Sequence, residues 1–444
     1  MGATETLARF ALNTPSTAIP DPILHEGKRC IINYLAVALY ASADPSMQIL
    51  TGLFEEEGGN PQAALIGSDM RTSLQNAALA NGYLAHLEDY DDTHFPTVIH
   101  PSAPTIPAAI AVGERQNATG LDVLTATVLG IEACCRIGLS VHPHHYDAGW
   151  HITGTCGVFG SAAAAGRLLG LDEGQMVNAL GIAGTQAAGV RETFGSMSKP
   201  FHAGRSAQSG VLAGLLASRG FTSTDTILEG RRGFAAVLST ASDMAQITEA
   251  LGERWELPNN GLKPYSCGVV SHPLIDAMII FRNTHGVKAE DVVSVTANVQ
   301  PLVLELMDRQ HPRIGLEGKF SHQHSMAVGL VDGGAFPEQY TDERVLDPTI
   351  TALRDKIKAT VDPKMPDDAA EVTVTLKDGR SITEKVDHAT GAPENPMSDS
   401  QLEDKFRNLV SRVLSKNQSE KLLTRLWDID KVDNVGEIME MARP

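Results

Sequence analysis

The chain has 444 residues, which is too long for one ordinary hydrophobic core, so two domains are predicted. Its composition, with 42% hydrophobic and 20% charged residues, is that of a globular protein. The net charge of −18 disfavours binding to nucleic acid or to an anionic membrane, and we expect neither as a partner.

The five cysteines are scattered along the chain and form no CxxC pair. This pattern predicts no disulfide framework, no structural zinc and no iron–sulfur cluster. The first residues show no basic start followed by an apolar block, so no signal peptide is predicted. We therefore expect a reduced, cytoplasmic setting.

From about residue 5 to residue 260 the apolar residues recur at helical spacing. The clearest amphipathic stretches are 22–42, 72–88 and 121–140. They are followed by helices rich in Gly, Ala and Ser at 158–170, 174–190 and 206–218, which suit the centre of a helical domain because their backbones can approach closely. The sequence has no GxGxxG and no P-loop motif, so no nucleotide cofactor is predicted.

The pattern changes after about residue 265. Residues 291–300 alternate as a strand does, and residues 371–386 form two alternating runs around Asp378-Gly379, which is a hairpin signal. Helices are predicted between them, near 322–333 and 343–359, and again in the tail from 400 to 443. The predicted fold is mainly α, with an all-helical domain (1–265 and 396–444) and a smaller α/β lid domain (266–395).

Four carboxylates and three histidines lie within residues 86–102, HLEDYDDTHFPTVIHPS. One interpretation is a solvated helix end, in which the acids only cap and solvate a turn. The alternative is one wall of an acid–base site, which the prolines around His100 would hold rigid. The window by itself leaves both interpretations open.

A second window, residues 142–157, carries four histidines, Tyr146 and Trp150. Alternating and adjacent histidines in a loop rarely converge on one ion, and no other cluster has ligand spacing, so no metal is predicted. His151 differs from the other histidines because it directly precedes a helix start, where backbone N–H groups can hold a carboxylate.

Three further windows supply positive charge. In RETFGSMSKPFHAGRSAQ, the lysine precedes a proline and cannot lie inside a helix, and we expect a helix to follow that Ser206 could cap. The stretch 261–277 lies at the predicted domain junction, and 318–329 lies inside the smaller domain. A solvated basic loop is the alternative interpretation. The residues of interest in these windows are Arg191, Lys199, His202, Arg205, Lys263, His272, Lys319 and His324.

No GxSxG motif is present, so acyl transfer by a serine has no support. The remaining chemistry is direct proton transfer by side chains on a small anion. Removing a proton α to a carboxylate needs a base of tuned pKa and cations close to the developing charge. Burial could lower the pKa of Lys199 towards neutrality.

Five windows resemble the MmgE/PrpD family, in the order in which they occur along most of the chain: DYDDTH…HPS, GWHITGTCGVFGSAAAAGRLLGL, SKPFHAGRSAQSGVLAGLLA, KPYSCGVVSHPLIDA and EGKFSHQHSMAVGLVDG. The family contains 2-methylcitrate dehydratases, cis-aconitate decarboxylases and iminodisuccinate epimerase. The resemblance implies a large helical domain with an α/β lid, a homodimer, a site between the domains and no metal or organic cofactor.

The resemblance also places Asp89, Thr93, His100, His151 and Lys199 at site positions of the family. Together with the charged windows, the expected catalytic residues are Asp89, His100, Tyr146, His151 and Lys199. The expected substrate-binding residues are Thr93, His202, Arg205, Lys263, His272 and His324. The expected substrate is a small anionic di- or tricarboxylate.

Two positions depart from the decarboxylase pattern. Gly268 replaces a histidine and His324 replaces a tyrosine. The favoured reaction is therefore epimerisation, with Tyr146 and Lys199 as the acid and base on opposite faces of a planar intermediate. The alternatives are a lyase, more dehydratase-like than decarboxylase-like, and a relative that binds a polycarboxylate without catalysis.

Overall fold

The computed structural model describes residues 2–444, which form two compact units. The helical unit comprises the chain up to Leu87, Asp91–Gly261 and Ser398–Pro444. The α/β unit comprises Glu88–Tyr90 and Leu262–Met397. The protein is therefore mainly α with a smaller α/β part, as the sequence predicts.

The first part of the helical unit contains twelve of the helices and three short strands. They are α1 (Ala3–Asn13), α2 (Asp21–Ala41), α3 (Ser46–Glu57), β1 (Ala63–Ala64), β2 (Arg71–Thr72), α4 (Leu74–Leu87), β3 (Asp92–His94), α5 (Ser102–Gln116), α6 (Gly120–Val141), α7 (His144–Asp147), α8 (Ile152–Leu168), α9 (Glu173–Gly184), α10 (Ser198–Ala217), α11 (Phe234–Leu238) and α12 (Ala245–Thr248).

The α/β unit follows, after the short strand β4 (Asn260–Leu262). Its elements are α13 (His272–Asn283), β5 (Val292–Val299), α14 (Pro301–Met307), α15 (Gly315–Gly318), α16 (His322–Asp332), α17 (Asp342–Val345), α18 (Pro348–Arg354), β6 (Ile357–Val361), β7 (Ala370–Leu376) and β8 (Ser381–Val386). The tail then adds α19 (Asp399–Val410), α20 (Lys416–Trp427) and α21 (Gly436–Met441) to the helical unit.

The small-residue helices form the centre of the helical unit. Residues 152–166 of α8 are all buried, and α8 packs against α5, α6 and α10. These contacts are close because glycines lie where the backbones meet: a Cβ on Gly160 would lie 2.6 Å from the carbonyl oxygen of Gly130. The Gly- and Ala-rich sequence is thus explained by helix packing.

The α/β unit is built on one four-stranded mixed sheet with the order β6-β5-β7-β8. Strands β5 and β6 are parallel, with Val295 opposite Ile357, and β5 and β7 are antiparallel. Strand β7 alternates buried and half-buried residues along its whole length, which confirms the predicted hairpin with β8 around Gly379 (φ +86°).

Several predicted elements were wrong. The large unit is not strictly all-helical, because β1 pairs with β2 and the short strand β3 precedes α5. The helix predicted over 343–359 is α17 and α18 followed by β6, because Pro348 starts a new helix and residues 357–361 pair with β5. The helix predicted over 174–190 ends at Gly184.

The helix predicted at 206–218 also begins earlier, at Ser198. Pro200 is tolerated there because the N–H groups of a first helical turn have no intrahelical acceptor. Ser206 consequently lies inside α10, where its hydroxyl donates to the carbonyl oxygens of Gly154 (2.6 Å) and His202 (2.8 Å).

One helix, α6, is long and apolar enough to cross a membrane. In this protein 94% of its most apolar window is buried among the other elements. Core helices of water-soluble proteins pass the same test, so this helix is weak evidence for a membrane span.

Candidate active site

Most of the acidic window folds into the interior of the helical unit. His86 lies in the last turn of α4, and its Nδ1 donates to Oδ2 of Asp91 at 2.8 Å. The His86 ring centroid lies 4.5 Å from that of His100, and all three side chains are buried. The interpretation of this window as a solvated helix end is therefore wrong for these residues.

His100 is held in one orientation by its backbone and side-chain hydrogen bonds. Its Nδ1 lies 2.7 Å from the carbonyl oxygen of Asp92 and 3.2 Å from Oγ1 of Thr93, and its N–H donates to Oγ1 of Thr153 at 3.1 Å. A carbonyl oxygen can only accept, so Nδ1 carries the hydrogen. In the neutral ring Nε2 is then the basic nitrogen.

Asp92 anchors the start of α5. Its carboxylate accepts from the side chains of Ser102 and Asn260 and from the N–H of Ser102 (3.3 Å). Burial, reinforced by the neighbouring Asp91 carboxylate, raises the pKa of Asp92 to about 6. This residue fixes the peptide whose carbonyl oxygen orients His100.

His151 immediately precedes α8, as predicted. Its ring centroid lies 5.7 Å from that of His86, and its Nδ1 lies 3.0 Å from Nδ1 of His202, so one of these two rings donates to the other. Burial, together with nearby His86 and Lys199, holds the pKa of His151 well below its usual range. The same causes lower the pKa of His202 to about 4, so both rings are neutral near pH 7.

Lys199 lies in the first turn of α10 and is only 6% exposed. Its Nζ is 5.2 Å from the centre of the Phe194 ring, and that ring meets His151 edge-on at 4.9 Å. The helical unit therefore brings together four predicted residues, Lys199, His100, His151 and His202. We call the four imidazoles of His86, His100, His151 and His202, with the carboxylate of Asp91, the histidine cluster.

Two further predicted residues of this unit, Tyr146 and Arg205, make contacts with residues outside the histidine cluster. The guanidinium of Arg191 lies 4.1 Å above the ring of buried Tyr146 and donates to the Tyr146 carbonyl oxygen at 3.1 Å. Arg205 is exposed on α10 and donates to the side chain of Gln208. The roles proposed for Tyr146 as an acid or base and for Arg205 in substrate binding stay predictions.

In the α/β unit, Asp89 and Lys263 form a buried ion pair. The Nζ of Lys263 donates to Oδ1 of Asp89 at 2.6 Å and to its carbonyl oxygen at 3.0 Å. Asp89 has a positive φ of 50°, a conformation that aspartate tolerates better than most residues. Lys319 donates to the carboxylate and the carbonyl oxygen of neighbouring Glu88. Two lysines from separate windows thus hold the segment 88–90.

The other two predicted residues of the α/β unit are buried histidines. His272 is the first residue of α13, and the ring of Tyr265 meets it edge-on at 5.3 Å. The Nε2 of His324 donates to the carbonyl oxygen of Gln339 at 2.8 Å, and burial lowers the pKa of this ring to about 4. These contacts place His324 in the interior of the unit, and its role in substrate binding stays a prediction.

One buried side-chain set in the helical unit could hold a metal ion. The ligand atoms of His86, Asp91 and His100 lie within 4.8 Å of one another. However, Nδ1 of His86 donates to Asp91, and Nδ1 of His100 donates to a carbonyl oxygen. These hydrogen bonds make Nε2 the basic nitrogen of each ring, which suits proton transfer and equally metal binding, so the absence of a metal stays a prediction.

Sequence reasoning missed His86, Asp91 and Asp92. All three lie in the acidic window 86–102, whose density of acids and imidazoles is a usable signal. Their spacing alone does not indicate which carboxylate contacts which ring, because Asp91 and Asp92 are adjacent and have different partners.

Comparison with known families gives two matches. Residues 5–247 match the model of the MmgE/PrpD N-terminal domain, and residues 265–429 match that of the MmgE/PrpD C-terminal domain.

Individual relatives carry names of lyases. A cis-aconitate decarboxylase from Mus musculus is 27% identical over 99% of this chain and 93% of its own length. The cis-aconitate decarboxylase from Homo sapiens is 27% identical over 96% of this chain and 91% of its own length. A mitochondrial 2-methylcitrate dehydratase from Yarrowia lipolytica is 26% identical over 22% of this chain and 21% of its own length.

Proposed function

Because the chain belongs to the MmgE/PrpD family, we propose that it is a lyase that moves a proton at a carbon next to a carboxylate of a small di- or tricarboxylate. The named relatives that span nearly the whole chain are decarboxylases, and a further relative is a dehydratase. In this proposal the side chains of the protein perform the chemistry without a cofactor.

The histidine cluster is the observation that carries the proposal. The imidazoles of His86, His100 and His151 are buried and that of His202 is half-buried. Nearby Lys199 helps to hold the pKa values of His151 and His202 below the usual range of histidine. A neutral imidazole near pH 7 can accept a proton, and it becomes a strong acid once protonated. Lys199 offers a fixed positive charge for a substrate carboxylate.

For a decarboxylation, the bond between carbon and the leaving carboxylate breaks, carbon dioxide leaves and the electron pair stays on carbon. An imidazole of the cluster that has taken up a proton from solvent gives this proton to that carbon and returns to its neutral form. For a dehydration, the basic Nε2 of His100 removes the α-proton, and the imidazolium formed in this way gives a proton to the departing hydroxide, which leaves as water. In both reactions Lys199 would stabilise the negative charge that develops next to the carboxylate.

Epimerisation is the second candidate, and two side chains favour it over decarboxylation. Position 268 is a glycine packed against Met307, and position 324 is a buried histidine, so neither provides the side chain expected from the decarboxylases. An epimerase would use Tyr146 and Lys199 on opposite faces of a planar intermediate. This outcome creates no new double bond and releases no carbon dioxide.

Proton NMR in heavy water distinguishes the candidates. The full chain is incubated with cis-aconitate, 2-methylcitrate and iminodisuccinate, and each reaction is followed over time. Loss of carbon dioxide or water with a changed alkene signal supports the lyase. Exchange of the α-proton without an alkene supports the epimerase instead, and no change with any of the acids would support a binding protein. The Lys199→Ala variant serves as the inactive control.

We also propose a cytoplasmic homodimer, as the family resemblance and the scattered cysteines imply. Light scattering on the purified chain would test the assembly, since a dimer has twice the mass of the 47.4 kDa chain. A monomeric mass at micromolar concentration would contradict this proposal.

A further inference from the structure

A separate cavity lies inside the α/β unit. Its volume of about 580 Å³ is within the usual range for small-ligand pockets. It is lined by the loop after α14, the first residues of α16, the end of α18 and the start of β6. Neither Lys263 nor Lys319 lines this cavity, so it does not include the lysines that hold the segment 88–90.

The feature that points to a ligand is Arg354, which lines the cavity and is 7% exposed. Its Nη1 donates to the carbonyl oxygen of Val345 at 3.3 Å, while its Nε has no hydrogen-bond partner and its guanidinium forms no salt bridge within residues 2–444. A buried guanidinium that forms no salt bridge is unfavourable. Burial lowers the pKa of Arg354, and the nearby carboxylate of Asp355 opposes this shift only in part. An oxyanion in the cavity would supply the missing acceptor and charge.

Two other cavity walls favour an anion. His322 and Gln323 are the first residues of α16, which has 11 residues, and the N-terminus of a helix carries partial positive charge. Lys358 of β6 lies at the exposed rim of the cavity. The cavity therefore combines a buried arginine, an exposed lysine and a helix N-terminus.

The cavity also contains acceptors, which restrict the ligand further. Two exposed carboxylates line it, and one of them, Asp308, accepts from the amide groups of Gln323 (3.0 Å) and Gln310 (3.3 Å). The Nδ1 of His322 donates to the carbonyl oxygen of Met307 at 3.0 Å, so its Nε2 is an acceptor, and Nε2 has no partner. A ligand that suits both sets of groups has a negatively charged oxygen and also a hydroxyl hydrogen.

We propose that this cavity is a binding site for a small oxyanion that carries a hydroxyl group, either hydrogen phosphate or a 2-hydroxycarboxylate. The charged oxygens bind Arg354, and the hydroxyl donates to an acceptor of the cavity wall. The site requires no assumption about the reaction of the histidine cluster, and its test needs no turnover of a substrate.

Isothermal titration calorimetry on the full chain tests the site with inorganic phosphate and with sulfate, which has no hydroxyl at pH 7. L-malate and succinate form the matching carboxylate pair. We expect phosphate or malate to bind at one site per chain, and its partner without the hydroxyl to bind at least about fivefold more weakly. Whichever of phosphate and malate binds more tightly shows whether the site takes hydrogen phosphate or a 2-hydroxycarboxylate. Absence of binding by both, or equal binding within both pairs, would overturn the proposal.

The location is tested by a pair of substitutions. Arg354→Gln should weaken binding about tenfold or more, because it removes the buried charge. Lys377→Gln removes the same charge from an exposed position outside the cavity and should bind like the wild type. If Arg354→Gln binds as well as Lys377→Gln, the ligand occupies another place and the proposal fails.

The exposed Lys358 provides a test that does not depend on the stability of the Arg354 variant. Lys358→Gln should keep the wild-type circular dichroism spectrum and weaken binding about threefold, with a shallower dependence on salt. Unchanged affinity and salt dependence in this variant would count against the site.

Discussion

His151 and His202 share a hydrogen bond between two nitrogens of the same type, with Nδ1 atoms 3.0 Å apart. Such a contact requires one ring to donate and the other to accept, so two protonated rings cannot form it. The lowered pKa values of both rings agree with this requirement. His202 therefore acts on His151 in two ways, since it orients the ring and disfavours its protonation.

This geometry predicts the effect of replacing His202. His202→Gln should lower kcat by about tenfold to a hundredfold, because His151 loses the partner that orients it. The pKa of His151 should rise, so the acid limb of the kcat profile should move to higher pH. The measurement is kcat against pH for both proteins. A lower kcat with an unmoved acid limb would show that His202 has only a structural role.

Lys199 is predicted to carry the fixed positive charge of the site. Lys199→Ala should abolish turnover and leave the fold intact, because alanine suits the first turn of α10 and the substitution removes no apolar side chain from the core of the helical unit. Turnover and thermal melting are measured together, with Lys416→Ala, an exposed lysine of α20, as the matched control. Full activity of the Lys199 variant would contradict the proposed role.

At the scale of elements, the crossing of α4 and α10 determines where the histidine cluster forms. The helices touch at Gly82 and Gly204, where a Cβ on Gly204 would lie only 2.3 Å from the carbonyl oxygen of Leu79. Helix α4 carries His86 near its end, and α10 carries Lys199 and His202 near its start. The close approach of two glycines therefore sets the distance between these functional groups.

Gly204→Ala should separate these helices. We expect a loss of about 1–3 kcal/mol in the free energy of unfolding, because the new methyl group meets rigid backbone, together with a large loss of activity. Gly52→Ala in α3 is the matched control, since nothing lies within 4 Å of a Cβ there. The control should be neutral or more stable by up to about 1 kcal/mol. Urea unfolding measures both, and equal stability of the two variants would contradict the packing argument.

At the scale of the whole molecule, the buried histidines predict sensitivity to acid. Burial lowers the pKa values of His145 and His324 to about 4. Between pH 4 and 6.5 these rings take up protons in the unfolded chain and stay neutral in the folded chain, so acidification favours unfolding. Asp92 and Glu132 have the opposite effect, because burial raises their pKa values to about 6 and about 7 and the folded chain takes up their protons first.

We therefore expect a net loss of stability on going from pH 7 to pH 5. His145 and His324 should each contribute about 2 kcal/mol to the loss, and the two buried carboxyl groups should together offset about 3 kcal/mol. The lowered pKa values of buried His94 and His151 add to the loss. His324→Gln keeps a donor for the Gln339 carbonyl oxygen and removes one titrating ring. Urea unfolding at both pH values should show a smaller loss for this variant than for the wild type. An equal loss would contradict the assignment.

Much of the local structure is determined by the sequence. The 3.6-residue spacing predicts α2, α4 and α6 to within two residues at each end, and the alternation around Gly379 predicts the β7–β8 hairpin. The five windows also identify the family and several residues of the histidine cluster. These features could be predicted because periodicity, turn residues and motif order are properties of neighbouring residues.

Only the tertiary structure decides which groups meet. Strand β6 was not predicted because it is defined by parallel pairing with β5, about 60 residues earlier in the chain. The contact between His151 and His202 joins residues 51 positions apart. Whether Arg354 forms a salt bridge depends on the side chains that all the elements around its cavity contribute. The physical reason is that the sequence pattern indicates which face of an element is buried, whereas long-range packing selects the partner of each buried polar group.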